Sequence, residues 1–189
     1  MAKLIGNKNI SVFISGRGSN LKALINYEKK NKKFKISCII SDNRNAKGLK
    51  IAKKYKIKYL IVNFKKKTDA ELKIYNYLKN KNVSLIALAG FMKILSKKFI
   101  KKIKIPILNI HPSLLPKYKG LNTHEKAIIN KDKYSGCSVH IVNEKIDAGK
   151  ILSQKKVRVL KSDNKKTLES KILKQEHRLY PKVIDAYLN

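Results

Sequence analysis

Cysteine is scarce: Cys38 and Cys137 are the only two, far apart and without a C-x-x-C pair. That argues against a disulfide framework and a cysteine zinc site, and for a reducing compartment. Long apolar runs are missing as well, and no stretch approaches the roughly 20 apolar residues of a membrane span. The opening MAKLIGNKNISVFIS lacks the apolar core of a signal peptide. A cytoplasmic protein with no membrane partner is therefore expected. Repeats, low-complexity segments and Gly/Ser/Pro-rich linkers are also absent, so residues 1–189 read as a single domain.

Acidic residues are few, with 12 Asp and Glu against 45 Lys and Arg, which gives a net charge of +33. Such an excess raises the prospect of nucleic-acid or polyanion binding. Only Arg17, Arg44, Arg158 and Arg178 are arginines, however, and the lysines run along the whole length beside many Ile and Asn. A selected polyanion footprint clusters on one face, whereas Lys, Asn and Ile share A/T-rich codons. Coding bias explains the charge more simply, and no specific nucleic-acid partner is expected.

Short apolar runs alternate with longer mixed segments, the βαβ signature of a mainly parallel sheet. Strands are predicted at Ile10–Ile14, Ile36–Ile40, Tyr59–Val62, Leu85–Ala89, Ile105–Asn109, Ser138–Val142 and Ile151–Val159. Helices are predicted at Asn20–Lys29, Ala46–Tyr55, Asp69–Lys79, Met92–Ile100, Thr123–Ile129 and Asn164–Leu188, the last with a kink at Pro181. The fold class is α/β, a Rossmann-like doubly wound sheet of about seven strands with helices on both faces.

Ser15-Gly16-Arg17-Gly18-Ser19-Asn20 follows the first strand and leads into a helix. Glycines admit a ligand close to the backbone, Ser19 or Asn20 can cap the helix, and its free N–H groups favour an anion. A phosphate suits this turn, and a tight βα turn with no ligand is the competing reading. Gly16-x-Gly18 and Asp42 also suggest a dinucleotide site, but Leu21 replaces the third glycine, so no nicotinamide cofactor is expected.

The most informative stretch is Asn109-Ile110-His111-Pro112-Ser113-Leu114-Leu115-Pro116. Residues two apart in extended chain share a face, so Asn109 and His111 project together into the crevice at the strand's carboxyl end. Pro112 keeps His111 out of helical geometry. A second segment, Ser138 to Gly149, is an alternating strand followed by an acidic turn. If that strand lies beside the fifth, Asp147 reaches the same crevice. The trio suits acyl-type transfer to an amine: Asn109 donates to the oxygen gaining charge, while His111 and Asp147 handle the proton. No G-x-S-x-G elbow singles out Ser113 or Cys137 as a nucleophile. A lone histidine is more often structural, which is the reading for His140 and His124, and the His111 to His124 spacing fits no common metal site, so no metal is expected.

Together these blocks resemble the glycinamide ribonucleotide formyltransferase family, in the family's order and over nearly the whole chain. The resemblance implies direct transfer of the formyl group of 10-formyltetrahydrofolate to the amine of glycinamide ribonucleotide, in de novo purine synthesis, with Asn109, His111 and Asp147 as the catalytic trio. It likens Gly18, Ser19 and Asn20 to the family's substrate-phosphate loop, and Glu176 to a glutamate that contacts the ribose. Ala89-Gly90-Phe91-Met92-Lys93-Ile94-Leu95 is similar to part of its folate pocket. Met92, Lys93, Ile94, Leu95, Asn109, Ile141 and Asp147 are thereby implied to hold the folate. Lys67 aligns with an arginine that grips the folate tail, although lysine lacks that bidentate fork. The resemblance further implies a phosphate-binding half over about 1–104, a catalytic and folate half over about 105–189, a cis Leu115–Pro116 peptide, and a monomer or homodimer. Methionyl-tRNA formyltransferase shares the Asn-x-His-Pro loop and distant aspartate but normally adds a C-terminal domain, and it is the less favoured reading.

Overall fold

The structure, a computed structural model, describes residues 8–189; the start of the segment read for a signal peptide lies outside the described residues. The strands are β1 (Asn9–Ile14), β2 (Lys35–Ser41), β3 (Tyr59–Ile61), β4 (Val83–Leu88), β5 (Ile107–His111), β6 (Tyr134–Ile141) and β7 (Ile151–Arg158). The helices are α1 (Ser19–Asn31), α2 (Lys47–Lys54), α3 (Lys67–Lys79), α4 (Lys97–Ile103), α5 (Thr123–Ile129) and α6 (Lys165–Leu188). One sheet runs in the order β3-β2-β1-β4-β5-β6-β7. Strands β1 to β5 pair in parallel, and β6 and β7 join antiparallel. The expected α/β class is the one observed. Because the chain steps outward from β1 to β3 and then returns as β4 on the other side of β1, the loops after β1 and β4 part at a switch point. Open α/β sheets bind their ligands there.

The two-residue period of the strands fills a core on each face. Ile10, Val12 and Ile14 of β1 pack with Leu21 and Leu24 of α1 and Leu168, Ile172 and Tyr180 of α6. Phe13 packs on the opposite face with Ile74 and Leu78 of α3 and Phe99 of α4. In β5, Leu108 and Ile110 enter the first core and Ile107 the second. Asn109 and His111, in phase with Ile107, are thereby carried on the second face. The buried Tyr180 hydroxyl lies 3.0 Å from the Leu88 carbonyl and 2.9 Å from that of Leu108, and so ties α6 to the two strands that flank the crevice.

Three local expectations change. The helix predicted from Met92 begins only at Lys97. Phe91, Leu95 and Phe99 are buried four residues apart, which imitates a helical stripe. Ser96 nevertheless caps α4 by accepting the Phe99 N–H, while Glu71 accepts the Ser96 N–H at 2.6 Å and its hydroxyl at 2.5 Å, leaving Met92 to Leu95 as loop. Next, Gly18, with φ 77°, is the N-cap of α1 and no side chain caps it, since Asn20 is engaged elsewhere. Last, β6 starts at Tyr134 instead of Ser138, with Gly136 inside it. A Cβ at Gly136 would stand 2.0 Å from the Lys155 carbonyl oxygen of β7, so only glycine lets the strands close there. Helix α6 continues through Pro181.

Gly136→Ala is expected to destabilise the protein by about 1–3 kcal/mol, the usual cost of overpacking. Urea unfolding followed by circular dichroism would show a lower midpoint at unchanged slope.

Candidate active site

A cavity of about 470 Å³ opens at the carboxyl ends of β4 and β5. Its wall comprises the Gly90–Leu95 loop, Asn109 to Pro112, Gly120 to His124, His140, and the loop from Val142 to Asp147. The side chains on this floor are positioned by the β5–β6 ladder, which sets Asn109 opposite His140 and His111 opposite Ser138. The Ser138 hydroxyl donates to the Ser113 carbonyl at 2.6 Å and accepts the Leu115 N–H at 3.0 Å. Gln154 of β7 donates to the Leu115 carbonyl at 2.9 Å. These bonds pin the loop after His111, which includes the cis Leu115–Pro116 peptide.

Asp147 sits at φ 45°, in the left-handed region that few side chains adopt. Two residues on, a Cβ at Gly149 would stand 1.7 Å from the Ile141 carbonyl oxygen, so this loop closes tightly onto β6. The turn aims the carboxylate inward. Its Oδ2 accepts the Gly120 N–H at 2.9 Å and lies 3.4 Å from His111 Nδ1. Its Oδ1 lies 3.4 Å from His140 Nε2 and 3.5 Å from Asn109 Nδ2. One carboxylate thus gathers the amide and the imidazole that the sequence pairs with it.

The hydrogen positions follow from the acceptors. His111 Nε2 is 2.9 Å from the Tyr118 carbonyl, which can only accept, so Nε2 carries the hydrogen and the Nδ1 of the neutral ring keeps a lone pair beside Asp147. His140 Nδ1 is likewise 3.0 Å from the Ile141 carbonyl and donates to it. That leaves His140 Nε2 to accept from Asn109 Nδ2 at 3.2 Å, which fixes the orientation of the amide. Burial pushes the His111 pKa down, against the opposing pull of the Tyr118 carbonyl and Asp147. Burial also acts to raise the Asp147 carboxyl, but His140, the Gly120 N–H and the His111 ring outweigh it and leave its pKa below the ordinary value. At neutral pH the pair is a neutral imidazole beside an ionised carboxylate.

His140 and His124, read from sequence as structural, both line the cavity. The antiparallel pairing of β5 with β6 is what places His140 opposite Asn109, and nothing in the sequence announces that register. Met92, Ile94, Leu121 and Ile146 are each more than half exposed along the cavity wall, an apolar rim around the polar floor. Lys93 and Leu95 also line it, whereas Lys67 heads α3 and Ile141 ends β6 without lining it. Among the described residues, no group of three His, Cys, Asp or Glu side chains is arranged to hold a metal ion.

Gly18, Ser19 and Asn20 lie at the start of α1. A Cβ at Gly18 would stand 2.6 Å from the Gly48 Cα, so the turn packs flat against α2. Asn20 Nδ2 donates to Glu176 Oε2 at 2.7 Å, and the buried Asn20 Oδ1 has no partner. Burial, joined by the charge of Glu169, pushes the Glu176 carboxyl up to about 7, against the Asn20 amide and Arg17. Arg17 itself pairs with Glu169.

Residues 8–184 match the formyl transferase family. Phosphoribosylglycinamide formyltransferase of Haemophilus influenzae is 43% identical over 181 residues, spanning 94% of this chain and 85% of that one. The chain belongs to the phosphoribosylglycinamide formyltransferase family. A crystal structure of a family member, from Anaplasma phagocytophilum, superposes with a TM-score of 0.90 at 43% identity, covering 95% of this chain and 86% of that one. The family's sequence also occurs within longer proteins. The trifunctional purine biosynthetic protein adenosine-3 of Gallus gallus is 40% identical over 184 residues, which are 95% of this chain and 18% of that protein.

Glu176 yields a test whose sign is opposite to that of most carboxylates. Its folded pKa, about 7, lies above the ordinary 4.5, so its stabilising contribution is full below 4.5 and is lost as pH rises through 7, a swing on the order of 3 kcal/mol. Glu176→Gln keeps the acceptor for Asn20 without the charge. Urea denaturation is expected to show the variant more stable than the parent at pH 8 and little different at pH 4.

Proposed function

We propose that the protein transfers the formyl group of 10-formyltetrahydrofolate to the amine of glycinamide ribonucleotide, in de novo purine synthesis, with Asn109, His111 and Asp147 as its catalytic residues. The observation that carries this reading is the Asp147 carboxylate in reach of both His111 Nδ1, at 3.4 Å, and Asn109 Nδ2, at 3.5 Å, on the floor of an apolar-rimmed cavity. As the amine attacks the formyl carbon, Asn109 Nδ2 donates to the oxygen that gains negative charge. Its contact with Asp147 is long enough to be exchanged for that bond, while His140 continues to hold the amide. His111 Nδ1 receives the proton the amine releases, and the ionised Asp147 stabilises the resulting imidazolium. No protein nucleophile enters. Burial pushes the Cys137 thiol up to about 12, far from a reactive thiolate.

On this reading the phosphate of the acceptor rests on the Gly18, Ser19 and Asn20 turn, where free N–H groups at the start of α1 favour an anion. Glu176, beside Asn20, takes the ribose. The flat pterin of the donor fits the slot formed by Met92, Lys93, Ile94 and Leu95 with the Asp147 loop, and Ile141 and Lys67 serve its outer parts. The donor brings the activated formyl group, and the chain's own residues orient it and move the proton. The N-terminal half of the single domain binds phosphate and the C-terminal half carries the chemistry. A cytoplasmic monomer or homodimer suits two buried free cysteines and a chain in which no described helix is long and apolar enough to cross a membrane.

Absorbance of the folate at saturating substrates, recorded with and without the amine, tests the reading. Asn109→Ala, His111→Ala and Asp147→Asn are each expected to lower kcat by roughly 100-fold or more. Full activity in the His111 or Asp147 variant contradicts the assignments, and deformylation that ignores the amine contradicts the acceptor.

A further inference from the structure

Between the two ligand loops stands a residue that opens the phosphate turn but is neither in the catalytic trio nor among Gly18, Ser19 and Asn20, the residues read as holding the phosphate. Ser15 directly follows β1 and is not among the residues lining the cavity. Its N–H donates to the Gly90 carbonyl at 3.1 Å, its hydroxyl accepts the Met92 N–H at 2.7 Å, and its carbonyl accepts Asn43 Nδ2 at 3.1 Å. The regular β1–β4 pairing ends two residues earlier, at Phe13 opposite Leu88. Beyond it the two loops should part, yet Gly90, at φ 75°, turns the chain so that Met92 returns onto the Ser15 side chain. On the other side of Ser15 the chain is also held, because the Gly16 carbonyl accepts the Gly48 N–H at 3.0 Å and Gly18 packs on Gly48. The phosphate turn and the cavity wall are therefore joined through Ser15, by its backbone N–H at Gly90 and by its hydroxyl at Met92, the latter being the only side-chain bond of the two.

We propose that Ser15 is a positioning residue that sets the Gly90–Met92 wall of the donor cavity against the phosphate turn, so that a ligand on either loop is felt at the other. The proposal rests on the function argued above. Removing the hydroxyl leaves the Met92 N–H to water and frees the wall to shift, at a cost of about one hydrogen bond, which corresponds to roughly a tenfold change in affinity. The wall is lost as a donor contact surface without any catalytic group being touched.

Ser15→Ala is expected to raise the KM for 10-formyltetrahydrofolate roughly five- to tenfold while kcat changes much less, and Ser15→Thr, which keeps the hydroxyl, is expected to restore it. A general folding defect would instead lower kcat through the active fraction and leave KM unmoved. Equilibrium dialysis supplies the second arm: inorganic phosphate shifts the dissociation constant of 10-formyltetrahydrofolate in the parent and leaves it unshifted in Ser15→Ala. An unchanged donor KM in Ser15→Ala, a Thr variant as impaired as the Ala variant, or a phosphate effect that survives the substitution overturns the proposal. The parent enzyme in the same assay separates the two readings, since loss of amine-dependent deformylation there refutes the proposed function, whereas an active parent with an indifferent Ser15→Ala refutes the positioning role alone.

Discussion

The structure of this site turns on how one half-buried carboxylate is satisfied. Asp147 is surrounded by the Gly120 N–H, two imidazoles and an amide, drawn from β5, the loop after it and β6. An unpaired carboxylate in that position would be costly, and the Gly120 N–H and the Asn109 amide are the donors that offset its burial. The same contacts draw the loop after β5 and the loop after β6 toward one another. The geometry of the proposed catalytic trio and the closing of the cavity are consequently one arrangement, and the left-handed backbone at Asp147 is the local strain that this arrangement sustains.

The sheet order makes that arrangement reachable. Parallel strands β1, β4 and β5 deliver three loops to one end, and the antiparallel β6 brings His140 back beside Asn109 before its own loop turns Asp147 into the gap. Two histidines with different jobs result. His111 has a lone pair next to the carboxylate, whereas His140 gives its Nδ1 hydrogen to the backbone and uses Nε2 to hold Asn109.

Much of this was legible in the sequence, for reasons that differ by residue. The alternation in Leu108-Asn109-Ile110-His111 requires that the two polar side chains share a face, and the structure places both on the cavity wall. Asp147 could be reached only by supposing that β6 lies next to β5, or through family resemblance, since no local pattern aims a turn residue. His140 was missed because antiparallel register is a property of two strands and not of either one. The Met92 loop was misread because buried residues four apart signal a helix whether or not the backbone coils, and here the Ser96 cap decides otherwise. Likewise Asn20, a plausible helix cap from sequence, is drawn to Glu176 by a buried partner far along the chain.

The lysine excess has a consequence at the far side of the sheet. Strand β7 is an edge, and it is eight residues long, so one row of its peptide groups is open to any strand that drifts alongside. Lys155, Lys156 and Arg158 are all exposed on it. Bringing a second such strand into register would crowd like charges together, and edge lysines are a recognised defence against lateral sheet growth. Basic residues on this edge, away from the cavity, thus oppose the lateral joining of crowded copies through their borders.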